Sequence, residues 1–206
     1  MNTAAHNDAH IHADDRQLCL DFVNTVGGRK SDAPNDHLGD YADLVAWSES
    51  AGTLTDTAAN RLRQAAVQAP AQAAAVFRRA GELREALYRI FVRMIGDARP
   101  TDEDLARLNV ELGPALAHLR LAQSQEGYAW VWETESRDLD QVIWPVARSA
   151  AELLTSDELD RVRECANETC GWLFIDRSRN RSRRWCDMSE CGNVAKVRRY
   201  RQRHKE

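Results

Sequence analysis

The sequence predicts a mainly α (α+β) protein: a helical N-terminal domain with one β-hairpin, followed by a small C-terminal treble-clef-like zinc finger. Three observations predict it. Apolar residues recur at steps of three and four through most of the chain between residues 40 and 154. The period drops to two only around residues 116–132. Of 5 cysteines, all but Cys19 crowd into the C-terminal end.

Taken in order, residues 1–16 read as a disordered leader, since His6, His10 and His12 come with no hydrophobic period. Leu18-Cys19-Leu20-Asp21-Phe22-Val23-Asn24-Thr25 is the first structured element, open between buried strand and short helix. Cys19, among apolar neighbours, reads as a small buried hydrophobe. Residues 29–39 read as loop. Asp40 can cap a helix through Ser50 that Gly52 stops, and Thr53 with Asp56 resembles a capping box for the next helix. Pro70 then restarts the chain. Ala73, Val76, Ala80, Leu83, Leu87, Ile90 and Met94 form one helical face, widened by Phe77 and Phe91. Gly81 in that helix predicts a close helix contact. Thr101-x-x-Asp104 caps a further helix, with Gly113-Pro114 as its expected stop. The alternating segment up to Leu121 and Tyr128-Ala129-Trp130-Val131-Trp132 predict the hairpin. A helix over about 139–154 follows, with Leu139, Ile143, Val146, Ala150 and Leu153 inward and Pro145 in its first turn or at a kink. The expected division is 1–16 leader, 17–157 helical domain and 158–206 finger.

Composition excludes several classes. A hydrophobic share of 43% allows a packed core, which a disordered chain lacks. No apolar run approaches the ~18–20 residues of a spanning helix, so no membrane partner is expected. The first residues lack the basic and apolar regions of a secretory signal, and the expected location is cytoplasmic. The formal charge of −4 hides an asymmetry. Residues 161–206 carry 13 Lys/Arg against 6 Asp/Glu, or +7, and residues 1–160 carry 15 against 26, or −11. An acidic body tethered to a basic module points to a polyanion as partner.

The C-terminal pattern is Cys165-x4-Cys170-x15-Cys186-x4-Cys191. Two close pairs separated by a short segment is the layout of a structural zinc site. Zinc is borderline-soft and takes four thiolates tetrahedrally, and each short spacer lets one turn present two sulfurs. The alternatives are two disulfides or free buried thiols. Trp172-Leu173-Phe174-Ile175 reads as a strand, Asp176–Asn180 as a turn, Arg183-Arg184-Trp185 as the return strand, and the chain from Val194 as a helix with Val194, Val197 and Tyr200 inward. So small a module folds poorly on apolar surface alone, and zinc supplies on the order of 10 kcal/mol. Arg177, Arg179, Arg181, Arg183 and Arg184 crowd the turn; Lys196, Arg198, Arg199 and Arg203 crowd the helix. Arginine suits bidentate phosphate and guanine contacts, so these nine are the candidate nucleic-acid-binding residues. The alternative is that they balance the thiolates or pair with the acidic body.

The quoted cysteine pattern, with Cys170-Gly171-Trp172-Leu173-Phe174, Asp176-Arg177-Ser178-Arg179-Asn180, Arg183-Arg184-Trp185-Cys186 and Cys191-Gly192-Asn193, resembles the CGNR zinc finger. The octet Leu18–Thr25 resembles the opening of the ABATE domain that accompanies that finger in bacteria. The resemblance implies a stress-induced transcriptional regulator with a DNA-binding finger and an N-terminal domain that binds an unidentified small-molecule ligand. The implied zinc ligands are Cys165, Cys170, Cys186 and Cys191. Where the CGNR pattern has its last Arg, this chain has Val194: a DNA contact made there is lost or moved to Arg198 or Arg199, and if the Arg is structural its loss is minor.

The leading expectation is therefore a zinc-dependent regulator of double-stranded DNA, holding one structural Zn²⁺ and no catalytic residue. Asp21 and Asn24 are the candidate ligand-binding residues of the body. Two other readings stand beside it. One is an enzyme with chemistry in the body, which offers Asp21, Asn24, Asp40 and His118 but no nucleophile elbow or phosphate loop. The other is a protein-interaction module docking an acidic partner on the finger.

Overall fold

The structure is a computed structural model that describes residues 15–124, 127–133 and 138–204; of Asp15, Arg199, Gln202 and Arg203 it describes the backbone alone. Most of the expected leader lies outside these residues. A 3-10 turn at Asp15–Gln17 leads into α1 (Leu18–Val23). The open choice falls to helix: Leu18, Cys19, Leu20, Phe22 and Val23 are all buried and Asp21 alone is exposed, the pattern of a helix threaded through a core. The expected loop 29–39 contains structure. Within it β2 (Asn35–Asp36) pairs antiparallel with β1 (Val26–Gly27), which just precedes it.

Helix α2 (Tyr41–Ser50) starts where the Asp40 carboxylate accepts the Asp43 amide at 3.0 Å. Helix α3 (Asp56–Gln68) is capped by Thr55, whose hydroxyl oxygen accepts the Ala58 amide at 3.2 Å. Thr53 is not the cap; its hydroxyl donates back to the Ser48 carbonyl at the end of α2. Helix α4 (Pro70–Ile95) buries Ala73, Val76, Ala80, Leu83, Leu87, Ile90 and Phe91, with Phe77 and Met94 at the margin. The contact expected at Gly81 does not form: a Cβ there would meet nothing within 4 Å. Helix α5 (Asp102–Ala117) is capped by Thr101 but runs through Pro114 instead of stopping. The proline frees the carbonyl of Val110, which lies on the exposed face, so water can take it.

Strands β3 (Leu119–Ser124) and β4 (Gly127–Trp132) form the expected hairpin, with Leu119 opposite Trp132 and Gln123 opposite Tyr128. A 3-10 turn at Leu139–Val142 precedes α6 (Trp144–Leu154), and Pro145 sits in its first turn. All five residues expected inward from 139 to 153 are buried. Helices α4 and α6 pack around α1, and α5 packs on both.

The finger departs from expectation in two places. Strand β6 (Leu173–Ile175) pairs with the upstream β5 (Val162–Glu164), not with residues 183–185. Those residues make no ladder, because the Arg183 amide goes to the Asp176 carboxylate at 2.9 Å and the Arg184 carbonyl takes the Ala166 amide at 2.8 Å. A π-helical turn at Met188–Gly192 then leads into α7 (Asn193–Arg203). The apolar stripe of α7 does not face inward: Val194, Val197 and Tyr200 are 56%, 44% and 63% exposed. The core of the finger is instead borrowed. Val162, Leu173 and Ile175 are buried in the main core of the helical body. Among the described residues, no helix is long and apolar enough to cross a membrane.

Candidate metal centre and nucleic-acid interface

The four C-terminal cysteines converge. Strand β5 ends at Cys165, a tight knuckle carries Cys170, and the π turn brings Cys191 back to Cys186. All four sulfurs lie within 4.8 Å of one another. The Cys170–Cys186 and Cys186–Cys191 sulfur separations are each 3.7 Å. A tetrahedron with Zn–S bonds of about 2.3 Å requires sulfurs roughly 3.8 Å apart, whereas a disulfide would need about 2.05 Å. The cysteines are free, which excludes the disulfide alternative. Hydrogen bonding from Cys186 holds the Cys170 thiol down to about 5. Its thiolate in turn pushes Cys186 up, and burial pushes Cys191 up to about 11. Four sulfurs this close resist ionising together without a cation. The donor set therefore fits one structural Zn²⁺. The Asn167 side chain donates to the Cys191 sulfur at 3.4 Å, an outer contact that orients a ligand. Trp172 and Trp185 pack against the cluster and close it off.

The knuckle is braced by the body. The Arg29 amide donates to the Cys170 carbonyl at 2.9 Å, and the Lys30 amide to that of Thr169. The Trp172 indole N–H donates to the Val26 carbonyl at 3.0 Å. Gly171 has φ +75, and a Cβ there would come within 2.9 Å of the Arg29 Cβ, so only glycine permits this approach. The Arg29 guanidinium pairs with Glu85 and lies over the Tyr88 ring; Lys30 and Tyr88 both meet Glu164. The β1–β2 segment is itself held from α4, where buried Arg84 pairs with Asp36 and donates to Thr25. Arg29, Lys30 and Arg84 were missed in the sequence, since basic residues in a polar stretch carry no signal of their partners.

The nine basic candidates divide. Arg177 is committed to Glu158, at 2.9 Å from Nε and 3.3 Å from Nη2. Arg183 donates to the Trp185 and Cys186 carbonyls and lies over the Phe174 ring at 4.5 Å, so it holds the turn together. Arg198 pairs with Glu168 at 2.6 Å, on the surface. Arg184 lies over Trp185. Arg179, Arg181 and Lys196 are exposed and make no ion pair among the described residues. The side chains of Arg199 and Arg203 lie outside the described residues. The turn is shaped by Asp176, which stands at its expected start and whose structural role was not assigned from the sequence. It is 0% exposed, and its carboxylate accepts the Ser178 and Arg183 amides at 2.9 Å each. Asp followed two positions later by Ser is the pattern of an Asx turn, and that signal was available.

Each candidate in the body has a partner within the protein. The Asn24 amide is spent on the backbone of Leu173, donating to its carbonyl at 2.8 Å and accepting its N–H at 2.9 Å. Asp21 is exposed and accepts from Gln17. Asp40 is a helix cap, and His118 stacks on Trp144 at 4.0 Å and faces Glu133. Cys19 is buried, and loss of water pushes its thiol up to about 12, so it stays neutral as a packing group.

A helical body joined to a compact four-thiolate module with a trailing helix defines a zinc-finger protein of treble-clef type. Residues 16–157 match the model of the ABATE family, described as "Putative stress-induced transcription regulator", and residues 161–204 match that of the CGNR zinc finger. The chain belongs to the ABATE family and carries a CGNR zinc finger, and both descriptions are of regulatory or zinc-finger families. No curated protein matches it significantly.

Proposed function

We propose that this protein is a DNA-binding transcription regulator of the cytoplasm, in which the acidic helical body senses a small molecule and the zinc finger contacts double-stranded DNA. One observation carries the reading. Arg179, Arg181 and Lys196 stand exposed and unpaired among the described residues, beside Arg184, on the turn and helix that flank the thiolate cluster. The body's acidity disfavours its own approach to DNA and leaves this edge to dock. Of the nine sequence candidates, Arg183 and Arg198 bond within the finger, and Arg177 pairs with Glu158 where the finger joins the body.

The test is a salt series of DNA binding with zinc-loaded protein. Each of Arg179→Ala, Arg181→Ala, Arg184→Ala and Lys196→Ala lowers the slope of log K against log salt by about 0.9, the value for one lost phosphate contact. Arg177→Ala leaves the slope unchanged. Salt-independent binding, or none to any random-sequence pool, overturns the proposal. The exposed stripe Val194, Val197 and Tyr200 favours a second reading, in which α7 also contacts protein. Sedimentation of the purified chain, with and without Val197→Glu, separates self-association from a monomer.

A further inference from the structure

A cleft of about 420 Å³ opens at the seam between body and finger. The apolar part of its floor comes from the half-buried Met94 and Ile95 of α4 and Leu159 of the connecting turn, while Phe91 and Val162 are themselves buried. Its rim carries Asp97, Asp160, Arg163 and Arg181. None of these four makes an ion pair among the described residues; Arg163 donates only to the Asp160 and Val162 backbone carbonyls. The volume is that of a small-molecule site, and its lining joins an apolar patch to a larger share of charged and polar surface.

Two rim residues have a feature in common. Asp97 and Arg181 have φ of 56 and 48, and no other described residue except glycine has a positive φ. Asp97 follows the C-cap of α4, and the Ala98 amide closes that end on the Arg93 carbonyl. Glycine is the least strained residue at such positions. The sequence instead places a carboxylate at one and a guanidinium at the other, both on the same cleft. A positive φ costs a residue with a Cβ some stability, so glycine at either point would relieve strain and remove a charge from the cleft.

We propose that this cleft binds a zwitterionic small molecule with an apolar body, of the class of an apolar amino acid or short apolar peptide. The arginines take its carboxylate, the aspartates its ammonium, and the floor its side chain. A simple organic acid would leave both aspartates unpaired beside it, and a simple amine both arginines. The proposal rests on the reading of the body as a sensor and gives it a route to the finger, because Arg181 belongs to both the cleft and the DNA-facing turn.

Calorimetric titration of the full zinc-loaded chain, without DNA, tests it. The probes are L-phenylalanine, the dipeptide Leu-Phe, 3-phenylpropanoate and phenethylamine. At least one zwitterion binds with Kd below about 1 mM, and the singly charged analogues bind at least tenfold more weakly. Asp97→Gly and Arg181→Gly each raise Tm and each weaken the zwitterion at least tenfold. A residue with a merely structural role would not give that opposition. Binding of neither zwitterion, equal binding of 3-phenylpropanoate, or unchanged affinity in both variants overturns the proposal. DNA affinity is measured separately: zwitterion binding without DNA binding sinks the regulator reading alone, and the converse sinks the cleft alone.

Discussion

Replacing Asn24 by Ala tests how body and finger are joined. Leu173 is fully buried, and its N–H and C=O both go to the Asn24 amide, at 2.9 and 2.8 Å. Both groups are directed away from β5, so Asn24 stands where a third strand would be. Alanine leaves a donor and an acceptor without partners in a place water reaches poorly, at about 1–3 kcal/mol each. The expected loss is about 2–4 kcal/mol after local relaxation, or roughly 4–16 °C in Tm for a chain of this size. Asn24→Asp keeps the acceptor and loses the donor, and should fall between.

The assay has two readouts. Urea unfolding followed by far-UV circular dichroism reports the helical body, and zinc transfer to a colorimetric chelator reports the finger. Asn24→Ala should lower the urea midpoint and speed zinc release at least tenfold, because β6 leads out of the zinc knuckle and into the body core. A stability change below about 0.5 kcal/mol would refute the argument. So would a destabilised body whose zinc release is unchanged. If Asn24 were instead a ligand-contacting residue, stability would be preserved.

Other predictions follow from the same geometry. Gly171→Ala forces a left-handed backbone on a residue with a Cβ, at about 1–2 kcal/mol, and drives that Cβ against Arg29; it should cost more than Asn24→Asp by urea unfolding. Stability should fall in acid. Arg89 holds the Asp104 carboxyl below its usual range, the Ser178 and Arg183 hydrogen bonds do so for Asp176, and Arg177 does so for Glu158. Depressed carboxylates favour the folded state above their unfolded values of about 3.9–4.3, and that contribution is lost as pH falls through the folded ones. The urea midpoint should therefore be flat from pH 7 to about 5 and drop steeply below about 4; a flat profile to pH 3 would refute the assignment.

The helical body was legible because its signals are local. Asp40 and Thr101 cap from their own first turns, and the face from Ala73 to Ile90 needs only a constant period. The failures come where a distant group decides. The caps at Thr53 and Thr55 are equally plausible in sequence, and what separates them is the Ser48 carbonyl of the preceding helix. Strand β6 was expected to pair with the segment after it, but Asp176 takes the Arg183 amide and leaves β5 as the partner. The zinc site was legible because four thiols at short spacing have few other uses. The basic residues were not, since an arginine's role depends on which carboxylate lies nearby: Glu158 for Arg177, Glu168 for Arg198.

The local charge of +7 in residues 161–206 therefore overstates the surface offered to a polyanion. Four thiolates and one Zn²⁺ sum to −2, and the body claims part of what remains through Glu158. The body's claim goes deeper than charge. The helix expected to supply the finger's apolar core lies exposed, while Val162, Leu173 and Ile175 pack with the helices of residues 18–154. A freely tethered finger could move independently of the helical body. A finger whose strands β5 and β6 pack in the body's core cannot shift without disturbing it. The junction that stabilises the finger is thus also a direct physical link between the two, and Asn24, Gly171 and Arg29 lie on it.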